Sequence, residues 1–446
     1  MVPEALETML ETFEAAGHEV WLVGGCVRDL LSGREPQDYD LATSASPEEM
    51  QQLFVQAAPS GGPQGTVTIC QDGLEAEVTP FRTEEDYADH RHPSTIRFVK
   101  TIEEDLARRD FTINAMAWHP RRGLLDLYGG RQDLEDRIIR TVGDPDTRFQ
   151  EDALRMFRAV RFAARLHFTL DYALVRALHR NAGLSKYLSF QRVWQETLQV
   201  LEHQPLLIER VSDLYRPFIP ELDAALATSQ NSIYHEANVL HHILKSLEYL
   251  RPFDPDLALV LLTHDLGKPE THTVSANGRD HFYRHPQASE VICRRLCGQL
   301  NFSREKTERL CWLVLHHDDI FAPSIKNVYR LCVENRRTNQ DLQDLFAVQY
   351  CDIMGHSALG RSRLSKWWEF VDFFNHCTSR PLSVDELHIS GRTLQEKAGL
   401  QGRAISLALD ALLERCFYQP QYNREDDLLA WVQTNKEKFT EAACKS

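Results

Sequence analysis

No run of about 18 consecutive apolar residues occurs in this chain, so nothing in it is long enough to cross a bilayer as a helix. The opening MVPEALETMLETFEAAGHEV lacks the basic start and apolar centre of a secretory leader and reads as an acidic amphipathic helix. The ten cysteines include no CxxC pair. Cys293 and Cys297 are one helical turn apart, which fits a packed face better than a metal site, and the set suits a reduced, cytoplasmic protein rather than a disulfide framework. There is no internal repeat and no low-complexity tract. Positive charge is short as well: a net charge of −15 argues against a protein that coats nucleic acid through bulk electrostatics.

The basic charge that is present is local. Residues 1–60 carry 11 acidic and 2 basic side chains, whereas residues 97–165 carry 14 basic and 12 acidic ones, and 13 of those 14 are Arg. The guanidinium fork suits bidentate recognition of phosphate or base edges. With 446 residues the chain exceeds one core and suits two to four domains. The first 130 or so residues mix strands and helices: EVWLVGG runs a strand into a glycine turn, VRDLLSG starts a helix that Gly33 stops, and DYDLAT is a short strand. GTVTIC and LEAEVTPFR alternate like a hairpin. From about Asp133 the pattern is helical nearly to the end, with FQEDALRMFRAVRFAARL apolar every three or four positions. A boundary is expected at 216–233 and a linker at TSRPLSVDELHISG.

The stretch VGGCVRDLLSGREPQDYDLAT, residues 23–43, packs a glycine turn against two aspartates one residue apart. On a strand, Asp38 and Asp40 point to the same face. Two carboxylates there repel unless a cation lies between them, and hard oxygen ligands suit Mg²⁺. Gly24 and Gly25, ahead of a helix, let backbone N–H groups approach a phosphate, and Arg28 in the first turn adds charge. A triphosphate cradle beside paired carboxylates is equipment for attack of a hydroxyl on an α-phosphate.

GGxVRD followed by DxD resembles the head of the polymerase β-like nucleotidyltransferases, and more specifically the tRNA nucleotidyltransferase (CCA-adding) and bacterial poly(A) polymerase family. DYADHRHPSTIRF, EEDLARRDFTINAMAW, LLDLYGG and EDALRMFRAVRFAARLHF follow in that family's order, covering roughly residues 20–170. The resemblance implies that RRDFTINA, with Arg109, Asp110 and Asn114, contacts the incoming nucleotide. At i and i+4, Asp110 and Asn114 would share a helical face. It also assigns base reading to Asp152 and Arg155. Cytosine and adenine each offer an amine donor beside a ring-nitrogen acceptor, a pattern that a carboxylate next to a guanidinium complements. Uracil and guanine present the reverse. Taken alone, Asp152 and Arg155 at i and i+3 would be a helix salt bridge. Glu151 is expected to orient Arg155. Arg158, Arg161 and Arg165 continue the helix and are candidates for triphosphate or the RNA end, or simply a solvated face. Glu77 is read as structural support, with Arg82 near phosphate.

In the second half, LLTHDLGK places His264 beside Asp265, and VLHHILKSL, HFYRHPQAS, VLHHDD and QYCDIMGH add His242, His285, His316, His317 and Asp352. This order resembles the HD-domain metallohydrolases. The implied ligands are His242, His264, Asp265, His285, His316 and Asp352, with His317 competing for the fifth place. Such a site holds one or two divalent transition metals and acts on phosphoesters. The glycines of SGRTL and GLQGRAI precede helices in the tail, as docking points for RNA phosphate or as ordinary caps.

The expected fold is therefore an α+β nucleotidyltransferase head (1–135), an all-α neck that reads the base (136–230), an all-α HD unit (231–378) and a helical, tRNA-binding tail (379–446). The expected activity is template-independent addition of C, C and A to the 3′ acceptor end of tRNA from CTP and ATP with Mg²⁺, without membrane association. CC-only addition, A-only addition and poly(A) synthesis remain open alternatives. So does a head that only positions RNA for the HD unit.

Overall fold

The apolar run VWLV forms a central strand. In the computed structural model, which describes residues 2–60, 62–85, 95–230, 237–276, 278–377 and 380–444, β1 (Val20–Val23) buries all four side chains. Alternate residues serve opposite faces, as the period of two demands. Val20 and Leu22 join a core with Leu6, Met9, Leu10 and Phe13 from the N-terminal helix Glu4–Ala15. Trp21 and Val23 join a second core with Phe81, Ile102 and Leu106.

The chain divides into two compact units, Met1–Ala224 and Ala225–Ser446, so the division falls inside the expected 216–233 boundary. The first unit holds β2 (Tyr39–Thr43), β3 (Ala57–Pro59), β4 (Val67–Gln71), β5 (Leu74–Pro80), β6 (Arg82–Glu85), β7 (Thr95–Phe98), β8 (Met116–His119) and β9 (Gly123–Asp126). Seven strands form one mixed sheet in the order β3-β4-β5-β2-β1-β8-β9. β2 and β5 are parallel, and every other pair in it is antiparallel. The expected hairpin is β4–β5. Its two turn residues, Asp72 and Gly73, both have positive φ (51° and 81°), the conformation whose twist matches flanking strands. β6 and β7 pair separately. DYADHRHP, which joins them, lies outside the described residues.

The helical part of this unit comprises Pro145–Glu151, Leu154–Leu166, Tyr172–Asn181 and Phe190–His203. The single helix expected over FQEDALRMFRAVRFAARL is two. Asp152 leaves helical geometry (φ −133°, ψ 103°), and its carboxylate accepts the Leu154 N–H at 2.9 Å. An aspartate that satisfies a nearby backbone donor offers the chain an alternative to continuing the helix. Leu154–Leu166 then buries Met156, Phe157, Val160 and Ala163 and packs on Phe190–His203.

In the second unit the helix Pro255–Thr263 is apolar all round, and residues Leu257–Thr263 are buried, as a helix central to its neighbours requires. Val239–Leu247, His285–Gln299, Arg304–His316 and Asn339–Gly355 pack around it. A short hairpin, Thr273–Val274 with Asp280–His281, interrupts the helical pattern. The tail helices Gly391–Ala398, Arg403–Tyr418 and Glu425–Cys444 enclose their own core around Leu394, Leu412 and Leu428. Among the described residues no helix is long and apolar enough to cross a membrane.

Candidate functional site

Asp38 and Asp40 arrive at the edge of the glycine turn together because β2 starts between them. Asp38 precedes the strand and is exposed; Asp40 lies on it, half-buried, in register with Glu77 of the parallel neighbour β5. Burial raises the Asp40 carboxyl; Arg109 opposes this, and the like charges of Glu77 and Asp38 add to it. That crowding of carboxylates is the environment that a hard divalent cation relieves. Gly24 has φ 70°, and a methyl group there would stand 3.4 Å from Arg109 Nη1 and 3.5 Å from Asp40 Oδ2. A side chain at Gly25 would come 3.5 Å from Arg28 Nη2. The turn therefore sits between the carboxylates and two guanidiniums, Arg28 and Arg109.

The RRDFTINA residues meet without a helix. Asn114 Nδ2 donates to Asp110 Oδ1 at 3.2 Å across the 3₁₀ turn Thr112–Asn114, not along the helical face expected. Arg28 Nη1 donates to Asn114 Oδ1 at 2.8 Å. Arg158 donates both Nε (2.9 Å) and Nη2 (2.6 Å) to Asp110 Oδ2. Burial would raise Asp110, but Arg158 outweighs it and holds the carboxyl at about 2. Asp105, which the motif reading passed over, organises the adjacent arginines. It pairs with Arg108 (2.7 Å) and Arg109 (2.9 Å), and these outweigh its burial to hold it at about 2. Its signal was present as an acid three and four residues before two Args.

Asp152 and Arg155 are adjacent through the kink rather than along a helix. No hydrogen bond between their side chains occurs among the described residues. Arg155 is buried and fixed by Glu151 Oε2 (2.6 Å), the Arg148 carbonyl (3.3 Å) and the Arg108 carbonyl (2.9 Å). Burial raises Asp152, and the Leu154 N–H opposes that rise. A held guanidinium and a half-buried carboxylate side by side form a rigid donor–acceptor edge. Arg161 pairs with Glu196 at 3.0 Å, whereas Arg165 is exposed. Arg82 pairs with Glu84 at 2.8 Å.

In the second unit, side chains from three helices and from the C-terminal ends of two more converge. His242 Nε2 lies 2.9 Å from Asp352 Oδ1 and 3.3 Å from Asp265 Oδ2, and His264 Nε2 lies 3.4 Å from Asp265 Oδ2. On the other side of Asp265, His285 Nε2 is 3.2 Å and His317 Nε2 is 3.6 Å from Oδ1. Two groups with metal-holding geometry result, His242–His264–Asp265–Asp352 and Asp265–His285–His317, with Asp265 common to both. His316 is not part of either: its Nδ1 faces Asp319 Oδ2 at 2.7 Å. His317 rather than His316 takes the fifth place of the expected set, because Arg304–His316 ends at that point and the next residue is buried toward the cluster. Three rings are aimed from behind. The Nδ1 atoms of His264, His285 and His317 donate to the carbonyls of Leu261 (2.6 Å), Phe282 (2.9 Å) and Val314 (2.7 Å). This fixes the tautomer that turns each Nε2 lone pair to the cluster, the arrangement metal-ligating histidines adopt. Burial lowers His264, but Asp265 and Asp352 outweigh it and raise the ring to about 10. His356, four residues past Asp352, was not anticipated; burial lowers it to about 4. A cavity of about 390 Å³ opens over the cluster, lined also by Lys268, Tyr283 and Arg363.

Residues 20–140 match the model of the poly A polymerase head domain. A CCA-adding enzyme of Geobacillus sp. is 43% identical over 224 residues, which is 49% of this chain and 55% of that protein. One from Lactobacillus helveticus is 47% identical over 192 residues, 43% of this chain and 48% of the relative. The chain thus spans about half the length of the curated relatives it matches. Among solved structures, the Bacillus stearothermophilus CCA-adding enzyme in complex with CTP aligns with TM-score 0.72 at 25% identity, over 99% of this chain and 100% of that one. The Thermotoga maritima CCA-adding enzyme complexed with tRNA aligns with TM-score 0.57 at 18% identity, over 97% and 96%, a likeness of fold. The family resemblance and the mixed-sheet head with a mostly helical remainder are borne out.

Proposed function

We propose that this chain, with its head similar to the poly A polymerase head domain and to CCA-adding enzymes, adds C, C and A to the 3′ end of tRNA from CTP and ATP. The observation that carries this reading is the meeting of the Asp38–Asp40 pair, the Gly24–Gly25 turn and the Asp110–Arg158 pair within one unit. The tRNA 3′-hydroxyl attacks the α-phosphorus, the new P–O ester bond forms, and the bond to pyrophosphate breaks. Gly24 and Gly25 admit the triphosphate, and Arg28 and Arg109 neutralise it. Asp110 and Asn114 face the sugar. Arg155 donates to N3 of cytosine or N1 of adenine, while Asp152 accepts from the exocyclic amine. Uracil and guanine would set donor against donor and acceptor against acceptor, at about 1–3 kcal/mol per mismatched group. Mg²⁺, held by Asp38 and Asp40, would supply charge stabilisation at the attacking and leaving oxygens. On this reading residues 1–135 catalyse, 136–230 read the base and 379–446 hold tRNA in the cytoplasm. Asp40→Asn should abolish incorporation with folding retained; an active variant would contradict the assignment.

A second activity is favoured by the two metal-holding groups sharing Asp265. We infer that residues 231–378 hydrolyse phosphoesters. His242, His264, Asp265 and Asp352 would hold one divalent transition metal and Asp265, His285 and His317 another, which would supply an activated water. Lys268 and Arg363 at the cavity supply positive charge for a phosphate. His264→Ala should remove bound transition metal and phosphoesterase activity together while incorporation persists. Loss of incorporation alone would contradict this separation.

A further inference from the structure

We propose that Phe162 is a positioning residue that seats Arg28, Arg158 and Arg161 as one array for the triphosphate of the incoming nucleotide. The inference rests on the nucleotidyl-transfer reading of the head. The three guanidinium carbons lie 5.7 Å, 5.7 Å and 4.4 Å from the centroid of the Phe162 ring. The ring is buried, at 7% exposure, and the edge-on ring of Phe111 holds it at 5.6 Å. Three like charges this close repel one another, and the electron-rich face of an aromatic ring within about 6 Å offsets that repulsion.

The polar contacts close a loop around the ring. Arg28 donates to Asn114, Asn114 donates to Asp110, and Arg158 donates to Asp110 from the opposite side. Arg28 comes from the helix after the glycine turn, while Arg158 and Arg161 come from the helix that carries Arg155. Phe162 thereby joins the end of the site that holds phosphate to the end that reads the base. Glu196, from Phe190–His203, fixes the outer member of the array through Arg161. A leucine would fill the same apolar space but offer no such face. The arginines would regain rotamer freedom, which nucleotide binding would have to remove. Arg155 is held independently by Glu151 and two carbonyls, so base choice does not depend on the ring.

The test replaces Phe162 in the full chain with 4-fluoro- and then 3,4,5-trifluorophenylalanine, which withdraw electron density from the ring with little change of shape. Incorporation of CTP and ATP on tRNA transcripts is measured with thermal melting alongside. The proposal expects KM for both nucleotides to rise stepwise, about tenfold across the series. It expects kcat within about twofold, unchanged exclusion of UTP and GTP, and an unchanged melting temperature. Phe162→Leu should match or exceed the trifluoro variant. A flat KM across the series, or a loss that follows melting temperature, overturns the role of Phe162. An unsubstituted chain that incorporates no nucleotide overturns instead the reading on which it rests.

Discussion

Asp110 makes the most consequential single-residue commitment in the head: two hydrogen bonds from Arg158 and one from Asn114 on a buried carboxylate. Its folded-state value of about 2, like that of Asp105, lies below the ordinary unfolded value of about 4. A depressed carboxyl contributes stability that is fully present above the unfolded value and lost as pH falls through the folded one. Each group should therefore add about 2 kcal/mol at neutral pH, lost between about pH 4 and pH 2. Urea midpoints of Asp105→Asn and Asp110→Asn should be lower than that of the parent chain at pH 7 and should fall less between about pH 4 and pH 2; parallel curves would contradict the assignment. Asp110→Ala leaves the partly exposed Arg158 unpaired and should cost about 1–3 kcal/mol. The crowding of Asp38 and Asp40 was legible from their closeness in sequence, although Asp38 precedes the strand on which Asp40 lies. Asp105 was overlooked because its role depends on burial, which local sequence does not state.

Elements explain where spacing misleads. EDALR reads as unbroken helix, yet Asp152 leaves helical geometry and accepts the Leu154 N–H, and Asp152 and Arg155 are brought together at the break. His316 and His317 differ by one position, so the choice between them depends on where a helix ends, a boundary that apolar periodicity fixes only within a residue or two. Glu151 holds Arg155 from one turn back, so Glu151→Gln should loosen the guanidinium and raise UTP misincorporation several-fold while CTP use changes less. Equal change for both nucleotides would remove Glu151 from base choice. Gly267 tests the second unit in the same way. A methyl group there would meet Ser289 N at 2.5 Å and the His285 carbonyl at 2.6 Å, which are backbone atoms that cannot swing aside. Gly267→Ala should displace the helix that begins at His285, lower the melting temperature and reduce transition-metal content. A variant with full metal content and unaltered melting would contradict that packing.

At the scale of the whole chain, the two units hold separate side-chain clusters, one of paired carboxylates and arginines, the other of histidines sharing an aspartate. The mixed head and helical remainder were readable because a glycine turn, two successive alternating segments and long amphipathic runs are local signals. The strand order was not, since it depends on pairings between distant segments such as β1 with β8. The histidine cluster was readable only through the order of its residues, and its convergence from five separate segments is a tertiary fact. The most direct measurement supplies three tRNA transcripts, ending before CCA, after C and after CC, with labelled CTP, ATP, UTP or GTP and Mg²⁺. Ordered addition of C, C and A that then stops, with UTP and GTP refused, is the predicted result. Long A tails on any RNA, addition of C alone or of A alone, or no incorporation would contradict it.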